Sequence, residues 1–336
     1  MIERDASLRA LNTFGVDVRA RALARVADLA ALPVLLDDPQ WRDVPLLVLG
    51  GGSNVLFTRD FDGLVLHLDA ARIDPPRHDG ADTLVRVEAG HHWHAFVRWT
   101  LDHGFAGLEN LSLIPGTVGA APIQNIGAYG VEVEACIAAV EAWDRHARRF
   151  DTLDRAACGF AYRDSVFKRE PGRWIVTAVV FRFAPTWTPV AYYPGVREQL
   201  GAQASVMPTP MALSDAICAI RRRKLPDPAV IGNAGSFFKN PVVTPAHAAA
   251  LAAAHPGLPC HAAGDGATKL SAAWLIEHAG MKGVRAGDAG VSDQHALVLV
   301  NHGAATGAQL LALARRVQAA VQQRFGVALE PEPLIV

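Results

Sequence analysis

Leu46-Leu47-Val48-Leu49-Gly50-Gly51-Gly52-Ser53-Asn54 runs four apolar residues straight into three glycines. The apolar run reads as a short buried strand, and the glycines as the tight turn it enters. Consecutive glycines let several backbone N–H groups point into one concavity, which suits a pyrophosphate. The spacing is not Gly-x-Gly-x-x-Gly, and no Gly-Lys-Ser/Thr follows, so a Rossmann turn and a P-loop are both poorly supported. An ordinary glycine-rich hairpin fits these residues as well as a cradle does.

Working outward, Val55-Leu56-Phe57 and Leu64-Val65-Leu66-His67-Leu68 predict strands, and Leu84 to Ala89 alternates like a half-buried one. A helix is expected from about His94 to His103, with Phe96, Val97, Thr100 and Leu101 on one side and Gly104 as its stop. Strands are expected again at Ile137 to Trp143 and Trp174 to Phe183. Ser214 or Asp215 is positioned to cap a helix running to Arg223. Gly232 to Pro241 reads as a loop leading to an Ala-rich helix near 246–254. Leu310, Leu313, Ala314, Val317, Val321 and Phe325 recur at helical spacing, with Gly326 closing the helix. This mixed order of strands and helices gives an α+β fold class.

The chain has 336 residues, 51% hydrophobic and 19% charged, with a formal net charge of -1. That length suggests two or three domains, and the apolar fraction excludes a disordered chain. The balanced charge argues against nucleic acid as a partner. No apolar run reaches the ~20 residues of a membrane span, and Glu3, Arg4 and Asp5 argue against a signal peptide, so no membrane and a cytoplasmic location are expected. Cys136, Cys158, Cys218 and Cys260 lie far apart and read as buried free thiols. His91-His92-Trp93-His94 lacks nearby Cys or carboxylate ligands, so no metal is expected there.

Four further stretches carry chemistry. Pro115 to Gly130 is apolar, Gly-rich and uncharged, so it packs against protein or a flat ligand, and Gln124 and Asn125 offer amides to a heteroaromatic edge. Tyr162-Arg163-Asp164-Ser165 presents a guanidinium suited to a carboxylate or phosphate, or else a surface Arg163–Asp164 pair. Asn233-Ala234-Gly235-Ser236-Phe237-Phe238-Lys239-Asn240-Pro241 sets a hydroxyl beside two aromatics, either a proton donor in a dry pocket or a plain loop serine. No Gly-x-Ser-x-Gly elbow surrounds that serine, which disfavours a hydrolase nucleophile. Arg221-Arg222-Arg223-Lys224 is either a helix C-terminal charge cluster or a diphosphate clamp. Glu330 and Glu332, bracketed by prolines, ordinarily read as a solvated tail.

Taken in order with Leu11-Asn12-Thr13-Phe14-Gly15, Gly107 to Leu111, Lys224-Leu225-Pro226-Asp227-Pro228 and Leu329-Glu330-Pro331-Glu332, these motifs resemble the UDP-N-acetylenolpyruvoylglucosamine reductase family over nearly the whole chain. The resemblance implies three domains, two forming a vanillyl-alcohol-oxidase-type FAD-binding unit (1–68 joined by 326–336, and 69–205) and a third α+β substrate-binding domain (206–325). It implies non-covalent FAD, NADPH as reductant, a nucleotide-sugar substrate and a monomer. Cofactor contacts then fall on Gly50, Gly51, Gly52, Ser53, Asn54, Pro115, Gly116, Gly119, Ala120, Gln124, Asn125 and Gly127. Ser236 becomes the proton donor, with Arg163 and Glu332 as its catalytic partners; a glutamate beside a developing anion needs to be protonated or to orient another donor. Tyr193, Lys224 and Asn240 become substrate contacts, with Tyr192 the competing tyrosine and His295 left without a role. A flavin oxidase with a covalent histidine link is the competing enzyme, and a non-redox nucleotide-sugar binder the competing module.

Overall fold

The computed structural model describes residues 2–201 and 207–336. The expected boundary at 205/206 lies outside the described residues. The chain divides into two compact units. Met1–Ala6, Ala20–Gly51 and Asp62–Arg223 form the first, and Ser7–Arg19, Gly52–Phe61 and Lys224–Val336 the second.

The first unit contains two larger sheets and a two-stranded one, in which Gly127–Ala128 pairs with Val131–Glu132. Strands β1 (Ile2–Ser7), β2 (Arg19–Val26), β3 (Leu46–Leu49) and β4 (Phe61–Leu68) pair in the order β1-β2-β4-β3. The apolar run that opens on the glycines is thus β3, parallel to β4 with Leu46 opposite Leu64. A five-stranded sheet follows, with β5 (Arg77–Asp79), β6 (Asp82–Glu88), β7 (Ile137–Asp144), β8 (Arg149–Asp154) and β9 (Trp174–Phe183) in the order β8-β7-β9-β6-β5. β9 is apolar along most of its length because it is central, and nearly every residue from Ile175 to Phe181 is buried. Helix α1 (Trp93–Asp102) buries Trp93, Phe96, Val97 and Thr100, and Gly104 at φ +79° follows it, as the spacing predicts.

Helix α2 (Pro210–Lys224) starts earlier than expected. Thr209 Oγ1 accepts from Ala212 N at 3.1 Å and caps it, with Pro210 in the first turn. Ser214, expected as a cap, is fully buried mid-helix and bonds Ser112 Oγ at 2.8 Å and Arg98 Nη1 at 3.0 Å. Its hydroxyl serves tertiary packing, which no capping signal reveals.

In the second unit, Gly232 to Ser236 is β10 rather than loop. It pairs in the order β10-β13-β12-β11 with β11 (Arg285–Ala286), β12 (Ala289–Val291) and β13 (Val298–Asn301). Gly-Asn-Ala-Gly-Ser has little β propensity, so partner strand β13 determines its conformation. Helices α3 (Pro245–Ala254), α4 (Ala272–His278) and α5 (Gly307–Phe325) complete the unit. α5 carries a capping box between Thr306 and Gln309 and ends on left-handed Gly326. The C-terminal strand β14 (Leu334–Ile335) pairs in parallel with Val55–Leu56. Cys136, Cys158 and Cys218 are buried, whereas Cys260 is exposed on a short edge strand, Cys260–Ala262, with no face covered. Among the described residues, no helix is long and apolar enough to cross a membrane.

Candidate active site

In the first unit two glycine-bearing loops touch backbone to backbone. A Cβ on Gly51 would lie 3.0 Å from Gly116 Cα, and one on Gly50 would press into the Thr117 hydroxyl. A Cβ on Gly119 would lie 2.5 Å from the Ala89 Cβ. The second loop is pinned to the entry of α1: Trp93 N donates to Gly116 O at 3.0 Å, Val118 N to His91 O at 2.9 Å and Gly119 N to Ala89 O at 2.9 Å. The result is a cradle floored by main chain, the form an approaching pyrophosphate requires, so the residues present fit FAD. Pro115 is exposed beside it, and Gln124 and Ala120 are half-buried.

The loop then turns on two strained residues, Asn125 at φ +46° and Tyr129 at φ +49°. The Asn125 amide is engaged within the protein. It donates to Glu132 Oε2 at 2.8 Å and Ala161 O at 3.1 Å and accepts from Glu134 N at 3.1 Å. Arg163 reaches this loop: Nη2 donates to Gly127 O at 2.7 Å and Nη1 to Asn125 O at 3.4 Å. The alternative Arg163–Asp164 pair is not formed, because Asp164 pairs with Arg169. Arg163 also sits at φ +55°, a backbone cost tolerated where a side chain has to be aimed.

Of the three histidines near α1, His92 caps its start, while His91 and His94 engage other segments. His92 Nδ1 accepts from Ala95 N at 3.4 Å, His94 Nδ1 accepts from Leu113 N at 3.0 Å, and His91 Nδ1 meets Ala71 O at 2.7 Å. Burial, helped by Arg98 and other nearby cations, lowers the His94 pKa to about 4, which keeps it a neutral acceptor. Among the described residues no group of three or more His, Cys, Asp or Glu is arranged to hold a metal.

In the second unit Ser236 is half-buried on β10 opposite Val298, ahead of Phe237 and Phe238, which are 0% and 1% exposed. The two rings anchor the strand, and Phe237 N donates to Leu297 O at 2.7 Å. The C-terminal segment lies along the same strand: Glu332 N donates to Phe237 O at 2.9 Å and Lys239 N to Glu330 O at 3.0 Å. Lys239 also pairs with Glu330 through its ammonium group. Asn54 Nδ2 donates to Glu332 O at 3.4 Å, and Leu334 N donates to Asn54 O at 3.0 Å. Ser236, Glu332 and Asn54, far apart in sequence, are therefore brought close, and the C-terminal segment with its prolines packs along the serine strand rather than forming a solvated tail.

Two family models match the chain, "FAD binding domain" over 20–151 and "UDP-N-acetylenolpyruvoylglucosamine reductase, C-terminal domain" over 227–336. The UDP-N-acetylenolpyruvoylglucosamine reductase of Chromobacterium violaceum is 55% identical over 99% of this chain and 98% of its own length. That of Pseudomonas aeruginosa is 52% identical over 99% and 98%. The chain belongs to the UDP-N-acetylenolpyruvoylglucosamine reductase family. The crystal structure of the Thermus caldophilus family member superposes with a TM-score of 0.68 at 26% identity, covering 100% of this chain and 98% of that one. This member of the family is an oxidoreductase with an FAD-binding domain and an α+β fold.

The remaining family motifs fall as follows. Tyr193 packs edge-on against Tyr129 at 5.6 Å, while Tyr192 lies over Gly130, and both tyrosines are exposed. Lys224 is exposed at the end of α2. Asn240 Oδ1 accepts from Ala272 N at 2.9 Å, so half its amide is committed to the start of α4. His295 Nδ1 accepts from Leu297 N at 3.3 Å, and the His295 backbone N donates to Ser292 Oγ at 3.4 Å.

Sequence reasoning gave Leu11 to Gly15 no role. In the second unit that segment clamps the site: Thr13 N donates to Gly52 O at 3.0 Å, Asn233 N to Thr13 O at 3.0 Å and Asn301 Nδ2 to Phe14 O at 2.9 Å. Asn12-x-x-Gly15 is the one available signal, a polar turn closed by Gly15 at φ +64°.

Proposed function

We propose that this enzyme reduces UDP-N-acetylglucosamine enolpyruvate to UDP-N-acetylmuramate for peptidoglycan precursor synthesis, as a cytoplasmic monomer using NADPH and non-covalent FAD. When bound, FAD would supply the hydride-transfer chemistry that links NADPH to C3 of the enol ether. Gly50, Gly51, Gly52, Ser53, Asn54, Pro115, Gly116, Gly119, Ala120, Gln124, Asn125 and Gly127 are its assigned contacts. On the same reading 1–68 with 326–336 and 69–205 serve the cofactor and 206–325 the nucleotide sugar.

Hydride addition at C3 leaves negative charge on C2 and the adjoining carboxylate. The Arg163 guanidinium is the group to stabilise that charge. The Ser236 hydroxyl delivers the proton to C2, and Glu332 is its partner in placing it. Tyr193, Lys224 and Asn240 hold the nucleotide sugar, the lysine through its charge on the diphosphate.

The observation that carries this reading is the hydrogen bond from Glu332 N to Phe237 O at 2.9 Å, which seats the family's terminal glutamate segment beside its serine strand. The test is anaerobic. NADPH should bleach the flavin, and added UDP-N-acetylglucosamine enolpyruvate should restore its colour. A protein that reoxidises only with oxygen is instead an oxidase.

A further inference from the structure

Glu132 lies outside every assignment above, yet it governs the setting of the residue given the charge-stabilising role. Arg163 is held by two main-chain carbonyls, Gly127 O at 2.7 Å and Asn125 O at 3.4 Å. Where those carbonyls point decides where the guanidinium points. Glu132 bears on both. Its backbone pairs with Gly127 in the two-stranded sheet, and its Oε2 accepts from Asn125 Nδ2 at 2.8 Å. A Cβ on Gly127 would lie 2.9 Å from Arg163 Nη1 and 3.0 Å from Glu132 Cγ, so the arginine head and the glutamate stem crowd one Cα.

Asn125 links the two. It is fully buried and holds φ +46°, a left-handed backbone that an L residue adopts at a cost. Both N–H groups of its amide are used, one toward Glu132 and the other donating to Ala161 O at 3.1 Å. Ala161 and Asp164 close the turn that carries Arg163, with N to O distances of 3.1 Å in both directions. Arg163 itself sits at φ +55°, and Lys168 Nζ donates to its carbonyl at 3.1 Å. One amide therefore fastens the turn that presents the arginine to the loop that receives it. Of the two bonds this amide donates, only the one to Glu132 has a carboxylate acceptor, which makes it the stronger restraint. All of these residues belong to the first unit.

We propose that Glu132 is a positioning residue for Arg163, fixing through Asn125 and Gly127 the two carbonyls that aim the guanidinium. The inference rests on the proposed function, in which Arg163 stabilises the charge that develops on the substrate; Glu132 acts only through it. A guanidinium displaced by about 1 Å loses much of its effect on a transition state while ground-state binding survives. The loss therefore falls on the substrate half-reaction.

The test uses holoenzyme and follows the two flavin half-reactions separately. Glu132→Met keeps the stem and removes the acceptor, whereas Glu132→Gln keeps an acceptor at the same reach. Reoxidation by UDP-N-acetylglucosamine enolpyruvate is expected to slow about 10-fold in the methionine variant and to stay within about 2-fold of wild type in the glutamine variant. Reduction by NADPH, and UDP affinity read from the flavin absorbance change, are expected to be unchanged in both. The deciding measurement is the same substitution on an Arg163→Met background. There Glu132→Met is expected to add less than about 2-fold, because the group it positions is gone. A full additional loss would overturn the proposal, as would equal slowing of both half-reactions, the mark of a general structural role, or a glutamine variant as slow as the methionine one. If Glu132→Met does not fold, Glu132→Asp, which draws the acceptor back by one methylene, is read against the same criteria. An Arg163→Met enzyme that reoxidises at the wild-type rate refutes the role given to Arg163 in the proposed function. An Arg163→Met enzyme that is slow, beside a Glu132→Met enzyme that is not, refutes only the role of Glu132.

Discussion

The glycine cradle of the first unit and the serine strand of the second both bring distant segments together, but by different means. The cradle depends on missing atoms, because Gly50, Gly51 and Gly119 leave no room for a Cβ beside Thr117, Gly116 and Ala89. The serine strand depends on bonds that are present. Asn233 Nδ2 donates to Pro226 O at 3.1 Å and Ile231 O at 2.9 Å, and its Oδ1 accepts from Gly235 N at 2.9 Å. Gly235 there sits at φ +68° with nothing within 4 Å, so its requirement is conformational and not spatial. Substitution should accordingly abolish one site outright and only weaken the other.

The largest effect is expected from Gly119→Val. Both the Ala89 Cβ at 2.5 Å and its Cα at 3.0 Å block the new side chain, and backbone cannot yield as a flexible side chain end does. The expected product retains less than a tenth of the wild-type flavin, measured from the visible spectrum after purification. Full flavin content would show that the cradle is not sterically defined.

Next comes Ser236→Ala. The strand is anchored by Phe237 and Phe238, so the fold and flavin content should stay intact. Reduction by NADPH should proceed at the wild-type rate, and reoxidation by the enolpyruvyl substrate should slow by about 10²- to 10³-fold, the usual cost of a missing donor at developing charge. Equal slowing of both half-reactions removes the serine from the donor role.

Gly235→Ala completes the contrast with Gly119. There is space for the methyl group, so the cost is that of a left-handed alanine, about 1–2 kcal/mol. A thermal midpoint lowered by several degrees, with flavin content unchanged, is expected; loss of flavin would erase the distinction between the two sites.

What the sequence disclosed follows the same division. β9, α1 and α5 were legible because burial imposes period and caps mark ends: Trp174 to Phe183 is apolar except at Thr177 and Arg182, and Thr306, Gln309 and Gly326 punctuate α5. The glycines at 50–52 announced a turn, but nothing in their spacing pointed to Gly116 and Thr117 as the opposing surface. β10 was hidden because its conformation comes from β13 and from the Leu11–Gly15 clamp, contacts that only the fold creates. The setting of Arg221 was hidden for a related reason. A run of four cations reads as a solvated helix end, yet Arg221 is half-buried with its Nε enclosed, while the three that follow are exposed.

The smallest expected effect lies at His94 and tests whether the cradle's second loop rests on a neutral ring. Nδ1 accepts from Leu113 N, a bond that protonation abolishes. Burial comes first among the causes that bring the pKa to about 4, followed by Arg98, His92, Arg222 and Arg221. The folded value is below the unfolded one of about 6.5, so this contribution to stability is complete above pH 6.5 and is lost as pH falls toward 4. His94→Asn keeps an acceptor at the Nδ1 position and does not titrate. Its midpoint should therefore fall less steeply than wild type between pH 6.5 and 4, with a difference of about 2 °C at pH 5 once partial solvent screening is allowed for. Identical slopes would mean that another group titrates in that interval. Arg221→Met removes one of the weaker cationic causes, so it should reduce the wild-type slope by less than His94→Asn does; a reduction as large would make charge, and not burial, the main reason the ring stays neutral.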